Sequence, residues 1–155
     1  MHGSLPQCCN VKDRVMPIEI RDLGGGIGSI IIARGIVTDE EFVKAFKKHL
    51  KQKKEKFIKY RYTLLDWTAV SIIAVTRKGV ELVANYCINS STVNPDVVIA
   101  QVADNDLVFG LARMWEMLSD TTKWEIMVFR NREEAEDWIK KRVEEKYGIE
   151  DVTFD

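Results

Sequence analysis

The spacing of apolar and polar positions predicts five β-strands along the chain. Alternating apolar residues over 17–23 predict a half-exposed strand, and the β-branched run at 30–32 predicts a second strand after a glycine-rich turn. Strands are also predicted at 60–66, 97–103 and 124–129. The stretch 97–103 is almost entirely apolar, which is typical of a strand that is covered on both faces.

A helix is predicted after every strand except the first. Thr38 and Asn131 are each followed three positions later by glutamate, a capping-box pattern that marks the start of a helix. Apolar residues at helical spacing predict the buried faces of the four helices. These are Phe42, Ala45, Phe46 and His49; Val80, Val83, Ala84 and Cys87; Leu107, Leu111, Trp115 and Leu118; and Ala135, Trp138, Ile139 and Val143.

The alternation of strands and helices predicts the fold. Helical crossovers favour parallel, right-handed pairing of the last four strands, with the first strand added antiparallel through the glycine turn. We therefore predict one α/β domain at 16–149, of order β-β-α-β-α-β-α-β-α, with a mostly parallel five-stranded sheet flanked by helices. Residues 1–15 hold few apolar residues and are predicted to be a disordered leader or an added extension. Residues 150–155 are predicted to be a flexible tail.

The composition is typical of a globular protein with balanced charge. The 155 residues are 46% hydrophobic and 30% charged, and the net charge of −1 gives no general attraction to nucleic acid or anionic membranes. No apolar run approaches the roughly 20 residues that span a bilayer. The cysteines are Cys8, Cys9 and Cys87, an odd count without disulfide or metal-ligand spacing, so a reducing cytoplasm is the predicted compartment. We expect no metal and no cofactor.

Three stretches resemble a known family. The order of strands, the stretch at 65–70 (LDWTAV), the stretch at 106–114 (DLVFGLARM) and the closing strand and helix at 128–139 are similar to those of STAS domains. The resemblance is closer to the SpoIIAA-like bacterial proteins, some of which are labelled STAS/SEC14, and it extends from Met16 to about Tyr147. It implies a non-enzymatic domain that binds proteins or small ligands.

The resemblance also implies where a regulatory phosphorylation would fall. Anti-sigma-factor antagonists of this fold carry a phosphorylated serine, between an aspartate and a serine-glycine pair, where the helix after the third strand begins. In this chain that region is 74–76, which has neither an aspartate-serine pair nor a glycine. Thr76 is its only hydroxyl and hence the possible phosphosite, although a role as helix N-cap is the favoured interpretation.

The predicted binding surface lies beyond the carboxyl ends of the parallel strands, where ligands usually meet open sheets. Polar residues follow these ends, and the candidate contact residues are Asp66, Thr68, Thr76, Asp104, Asn105, Asp106 and Arg113. Helix capping is the competing interpretation for Asn105, Asp106 and Asn131. For Arg113 the competing interpretation is that its alkyl stem covers Trp115 while its charged head stays in water.

Catalytic and nucleic-acid-binding interpretations find less support in the sequence. His49 and Cys87 fall on predicted buried stripes, and no catalytic set is placed on one rim, so we predict that the chain is not an enzyme. Nine lysines and arginines lie within 44–61, but a solvated helix surface is the favoured interpretation and no nucleic-acid partner is expected.

Two functions are therefore carried forward. The first is a regulatory domain that binds a partner protein, as a monomer or a homodimer. The alternative is a carrier of a small amphiphilic ligand, held in an apolar pocket near Trp67, Met114 and Trp115, with Trp124 as a further lining residue. Tryptophan and methionine at helical spacing are more often plain core, which favours the first function.

Overall fold

The computed structural model describes residues 17–155, so the predicted leader at 1–15 lies outside the described residues. The strands are β1 (Ile18–Leu23), β2 (Gly28–Thr38), β3 (Tyr62–Ala74), β4 (Val98–Val102) and β5 (Glu125–Phe129). The helices are α1 (Asp39–Leu50), α2 (Lys54–Phe57), α3 (Arg77–Ser91), α4 (Asp106–Leu118) and α5 (Arg132–Tyr147). Apart from the short α2, this is the predicted order of elements. None of the helices in this part of the chain is both long and apolar enough to cross a bilayer.

The strands form one sheet in the order β1-β2-β3-β4-β5. The first two strands are antiparallel, and every other neighbouring pair is parallel, as predicted. The turn between β1 and β2 contains Gly24, Gly25 and Gly26, with φ of 55°, 71° and 100°. Only glycine adopts such angles readily, which explains the glycine run as a tight turn.

The sheet is covered on both faces. Side chains of successive strand residues point to opposite faces, so Leu64 packs in one hydrophobic cluster and Leu65 in the other. Helices α1, α3 and α4 cover the Leu65 side, and α5 covers the Leu64 side. In the predicted stripe of α4, Leu107 is wrong because it is 63% exposed while Val108 is buried. Trp115 is buried as predicted, and Leu111 and Leu118 pack partly buried against the same cluster.

The C-terminal residues pack against the sheet. Val152 and Phe154 are 7% and 5% exposed and belong to the cluster beneath α5. The hydroxyl of Tyr62 donates to the carbonyl oxygen of Thr153 at 3.0 Å. The expectation of a flexible tail at 150–155 is therefore wrong, because these apolar side chains cover sheet surface that α5 leaves open.

The third strand is longer than predicted. We expected 60–66, but β3 continues to Ala74 because it stays paired with β2, whereas β4 ends at Val102 opposite Asp66. The paired residues 34–38 of β2 and 69–74 of β3 thus project beyond the rest of the sheet; we call them the β2–β3 extension. Near the start of the extension, β3 advances by three residues where β2 advances by two, and within the extension β3 advances by two residues where β2 advances by one. The extra residue at each of these places is a β-bulge in β3.

Substitution of Gly28 by alanine tests the packing of the sheet against the ring of Tyr62. An added Cβ would overlap the Cζ atom of that fully buried ring. We expect Gly28→Ala to lower the free energy of unfolding by about 1–3 kcal/mol, measured by urea unfolding. At Gly110 in α4 an added Cβ meets no atom within 4 Å, so Gly110→Ala should raise it by up to about 1 kcal/mol. Equal effects of the two substitutions would contradict the packing.

Candidate functional site

Asp66 and Thr68 contact each other at the end of the sheet. Asp66 is 8% exposed, and its Oδ1 accepts hydrogen bonds from the Thr68 backbone N–H at 2.9 Å and hydroxyl at 2.6 Å. Its Oδ2 accepts from Arg132 at 3.3 Å. The sequence predicted that the third strand ends at Asp66, but both residues lie within β3. The Asp66 carboxylate stabilises the local structure.

Arg132 is the residue of this region that the sequence analysis missed. Besides Asp66, its guanidinium donates to Glu136 at 2.7 Å and to the carbonyl oxygen of Phe154 at 3.3 Å. It therefore connects β3, the first turns of α5 and the C-terminal segment. Only the spacing of Arg132 and Glu136 by four residues was visible in the sequence; the other two contacts are long-range.

The ends of β4 and β5 carry helix caps and one exposed ion pair. Asn105 and Asn131 each accept a hydrogen bond from a backbone N–H three residues later, both at 2.9 Å, and so cap α4 and α5 as predicted. The side chain of Asp106 is 96% exposed and accepts from Arg130 at 2.8 Å. Asp104 is exposed in the loop between β4 and α4. The competing interpretation of helix capping is thus confirmed for the two asparagines.

Thr76 joins the starts of two helices. Its Oγ1 accepts from the N–H of Gly79 at 3.4 Å, which caps α3, and the same hydroxyl donates to Asp39 at 2.5 Å. The backbone N–H of Thr76 donates to the second Asp39 oxygen at 2.8 Å. The predicted N-cap role is confirmed, whereas phosphorylation stays a prediction. A phosphate here would replace the bond to Asp39 with repulsion between like charges.

Arg113 is engaged by its own helix. The guanidinium donates to Glu116 at 2.6 Å, and the Arg113 side chain is 52% exposed. An exposed pair at this spacing contributes little to stability, so the side chain is available to a ligand or partner at low cost. Its predicted binding role remains a prediction.

The predicted tryptophan pocket is divided into two small cavities. One cavity of about 30 Å³ is lined by Trp115 and Trp124, and another of about 30 Å³ by Trp67. Met114 lines neither cavity. Pockets that hold small-molecule ligands have volumes of roughly 300–1,000 Å³, so neither cavity holds an amphiphile in this conformation. Carriage of such a ligand would require the two cavities to open and merge.

The tryptophans and Cys87 belong to the core. The indole N–H of Trp67 donates to the side chain of Gln101 at 3.0 Å, and that of Trp124 donates to the carbonyl oxygen of Asn94 at 2.6 Å. Trp115 and Cys87 are 4% and 1% exposed. Burial raises the pKa of the Cys87 thiol to about 12, so the thiol stays protonated and unreactive, as expected for a core cysteine.

A partly buried polar network surrounds His49. Its Nδ1 lies 3.0 Å from the side-chain nitrogen of Gln52, and its ring packs against Tyr60, whose hydroxyl donates to Asp22 at 2.6 Å. Burial lowers the pKa of His49 to about 4, and burial together with the Asp22 bond raises the pKa of Tyr60 to about 12. His49 is therefore neutral at pH 7.

The basic stretch borders an open depression beside the glycine turn. Its volume is about 490 Å³, and it is lined by Asp22, Gly25, Gly26, Lys53, Glu55, Lys56 and Lys59. Lys56 forms an ion pair with Asp22 at 3.0 Å. Acidic residues thus lie among the lysines, which agrees with the interpretation of a solvated surface.

The chain was compared with protein-family models, with curated proteins and with solved structures. Neither a protein-family model nor a curated protein matches the chain. Among solved structures, the chain is similar to an uncharacterized protein from the DUF3478 family of Shewanella loihica PV-4, described as having a SpoIIAA-like fold. The likeness covers 79% of this chain and 91% of that chain, at 16% identity and a TM-score of 0.48.

The buried His49 makes stability depend on pH in a defined window. Above pH 6.5 the residue is neutral whether the chain is folded or unfolded; as the pH falls toward about 4, only the unfolded chain gains the proton. We expect the free energy of unfolding to fall by up to about 3 kcal/mol across this window, measured by urea unfolding at several pH values. His49→Gln should flatten the dependence; an unchanged slope in this variant would contradict the assignment.

The N-cap of α3 is tested by two substitutions of Thr76. Thr76→Ala removes the hydroxyl that bonds Gly79 and Asp39 and should lower the free energy of unfolding by about 1 kcal/mol. Thr76→Ser keeps the hydroxyl and should lose less than half of that amount. Thermal or urea unfolding followed by circular dichroism measures both, and equal losses would exclude the cap as the cause.

Proposed function

We propose that this chain is a non-enzymatic, STAS-like regulatory domain that binds a partner protein in the cytoplasm. The surface used would be the end of the sheet formed by the β2–β3 extension and the first turn of α4. The proposal follows from what this surface exposes and from how its polar groups are already paired.

The observation that carries the proposal is a group of exposed apolar side chains at one end of the sheet. Leu107 is 63% exposed in the first turn of α4, which begins four residues after β4 ends. Ile36 and Ile72 are partners across the β2–β3 extension and are 56% and 55% exposed. Exposed large apolar side chains, such as the adjacent Ile36 and Ile72 with Leu107 at the same end of the sheet, commonly mark a site of protein interaction.

The polar groups at this end support recognition rather than catalysis. Asp66 is held by Arg132, and Asp106 by Arg130. The guanidinium of Arg130 also lies 4.0 Å from the centre of the Phe109 ring. Carboxylates that are paired with arginines in this way fix the position of the polar groups on this surface, which supports recognition in the proposal.

Affinity capture from the native host with matched variants tests the proposal. Leu107→Lys places a charge on the proposed surface, whereas Met117→Lys makes the same change near the other end of α4, where Met117 is 66% exposed. A partner that binds through the proposed surface should be recovered with wild type and Met117→Lys, and reduced about tenfold or more with Leu107→Lys. Recovery is measured by quantitative mass spectrometry.

Two results would contradict the proposed function. One is the absence of any protein enriched by the wild-type chain over an unrelated control of similar charge. The other is a set of enriched proteins that both variants recover equally. Circular dichroism of the two variants shows whether they are folded, which separates lost binding from lost structure.

A further inference from the structure

The edge of β3 is open where β4 stops. Beyond Asp66, residues 68–74 of β3 pair with β2 on one side only. On the other side, no backbone group elsewhere in residues 17–155 bonds to them. The N–H of Thr68 is satisfied by the Asp66 carboxylate. The remaining donors and acceptors form a template to which another strand can add.

This open edge lacks the usual chemical protection. Proteins generally guard exposed strand edges with lysine or other charges, with proline or with β-bulges, and of these the open edge of β3 has only the bulges. The segment 68–74 reads TAVSIIA and contains neither a charged residue nor proline. It includes Ile72, which is 55% exposed. An uncharged, β-branched edge of this kind gains free energy when another strand covers it.

The two bulges of β3 decide which kind of strand fits. Each bulge places an extra residue in the segment 66–72 and interrupts an even ladder of hydrogen bonds. Two copies of the same bulged edge would place irregular ladders opposite each other, which disfavours pairing of the chain with itself. A different segment, whose register follows the bulged edge, is the better occupant.

A small apolar cavity lies beside the edge. The cavity of about 30 Å³ next to Trp67 is lined by Ile73 of β3, by Val75 directly after β3, and by Val108 and Leu111 of α4. Its size suits a methyl or ethyl group of an entering side chain. Leu107, which precedes Val108 on the same helix, is exposed.

We propose that an extended, uncharged segment of a partner protein, rich in β-branched and other apolar residues, adds to the open edge of β3 as a further strand. Its backbone bonds to residues 68–74, and one apolar side chain enters the cavity between Ile73 and Leu111. The inference rests on the proposed function and specifies the chemistry of the partner.

A peptide library provides the probe. Random twelve-residue peptides displayed on phage are selected against the full-length chain, and the enriched peptides are synthesised. We expect alternating apolar and β-branched residues without charges at the centre. Fluorescence anisotropy with Ile72→Lys should show affinity about tenfold weaker or worse, because the charge would lie beside an apolar side chain of the added strand on the same face of the sheet. Ile36→Lys changes the register partner of Ile72 away from the open edge and should alter affinity by about twofold or less.

Hydrogen exchange gives a readout at the backbone itself. Saturation with a selected peptide should slow the exchange of amides within 68–74, and leave those of β5 unchanged. The inference is overturned if no peptide is enriched, if exchange at 68–74 is unchanged on binding, or if Ile72→Lys binds as tightly as wild type. A wild-type dimer in light scattering that Ile72→Lys converts to a monomer would also overturn it, since a second copy would then occupy the edge.

The outcomes also separate this inference from the proposed function. A host partner that depends on Leu107 but binds equally to wild type and Ile72→Lys would leave the proposed function standing and remove strand addition. Peptides that bind the edge, together with no host protein that depends on Leu107, would support the edge as a binding site and remove the proposed regulatory surface.

Discussion

The structure depends on β3 being buried on both faces while it pairs with β2 and β4. Because side chains alternate along a strand, this one element supplies Leu64 to the cluster under α5 and Leu65 to the cluster under α1, α3 and α4. Its aromatic residues fix the boundaries of both clusters: Tyr62 contacts the C-terminal segment, and Trp67 packs against Phe46. Each helix lies where it covers the apolar surface of β3 and of the two strands beside β3.

Unequal strand lengths create the surface that is available for binding. Where β4 ends at Val102, β3 and β2 continue without a neighbour on the open side, and their isoleucines Ile36 and Ile72 are exposed. The charged groups nearby, Asp66 with Arg132 among them, bond to one another at the base of the extension. The end of the sheet thus combines a fixed polar base with an apolar, partly unpaired strand, a combination suited to binding another polypeptide.

The features predicted correctly from the sequence are those that neighbouring residues determine. The caps at Thr38, Asn105 and Asn131 depend on a side chain and a backbone group three residues apart, so their signals are complete within a short stretch. The parallel strand β4 was visible because a short, almost entirely apolar run is typical of a strand buried on both faces. By contrast, Arg132 and Asp66 are 66 residues apart, and nothing in either local sequence indicates their bond.

The sequence by itself determined the order of the elements, the starts of the helices and the two-sided burial of the sheet, because periodicity and capping are local properties of the chain. Tertiary structure alone decided how far β3 extends, where the C-terminal residues pack, and which tryptophans share a cavity. Each of these depends on what lies opposite: a strand continues only while a neighbour pairs with it, and a side chain is buried only when a distant segment covers it.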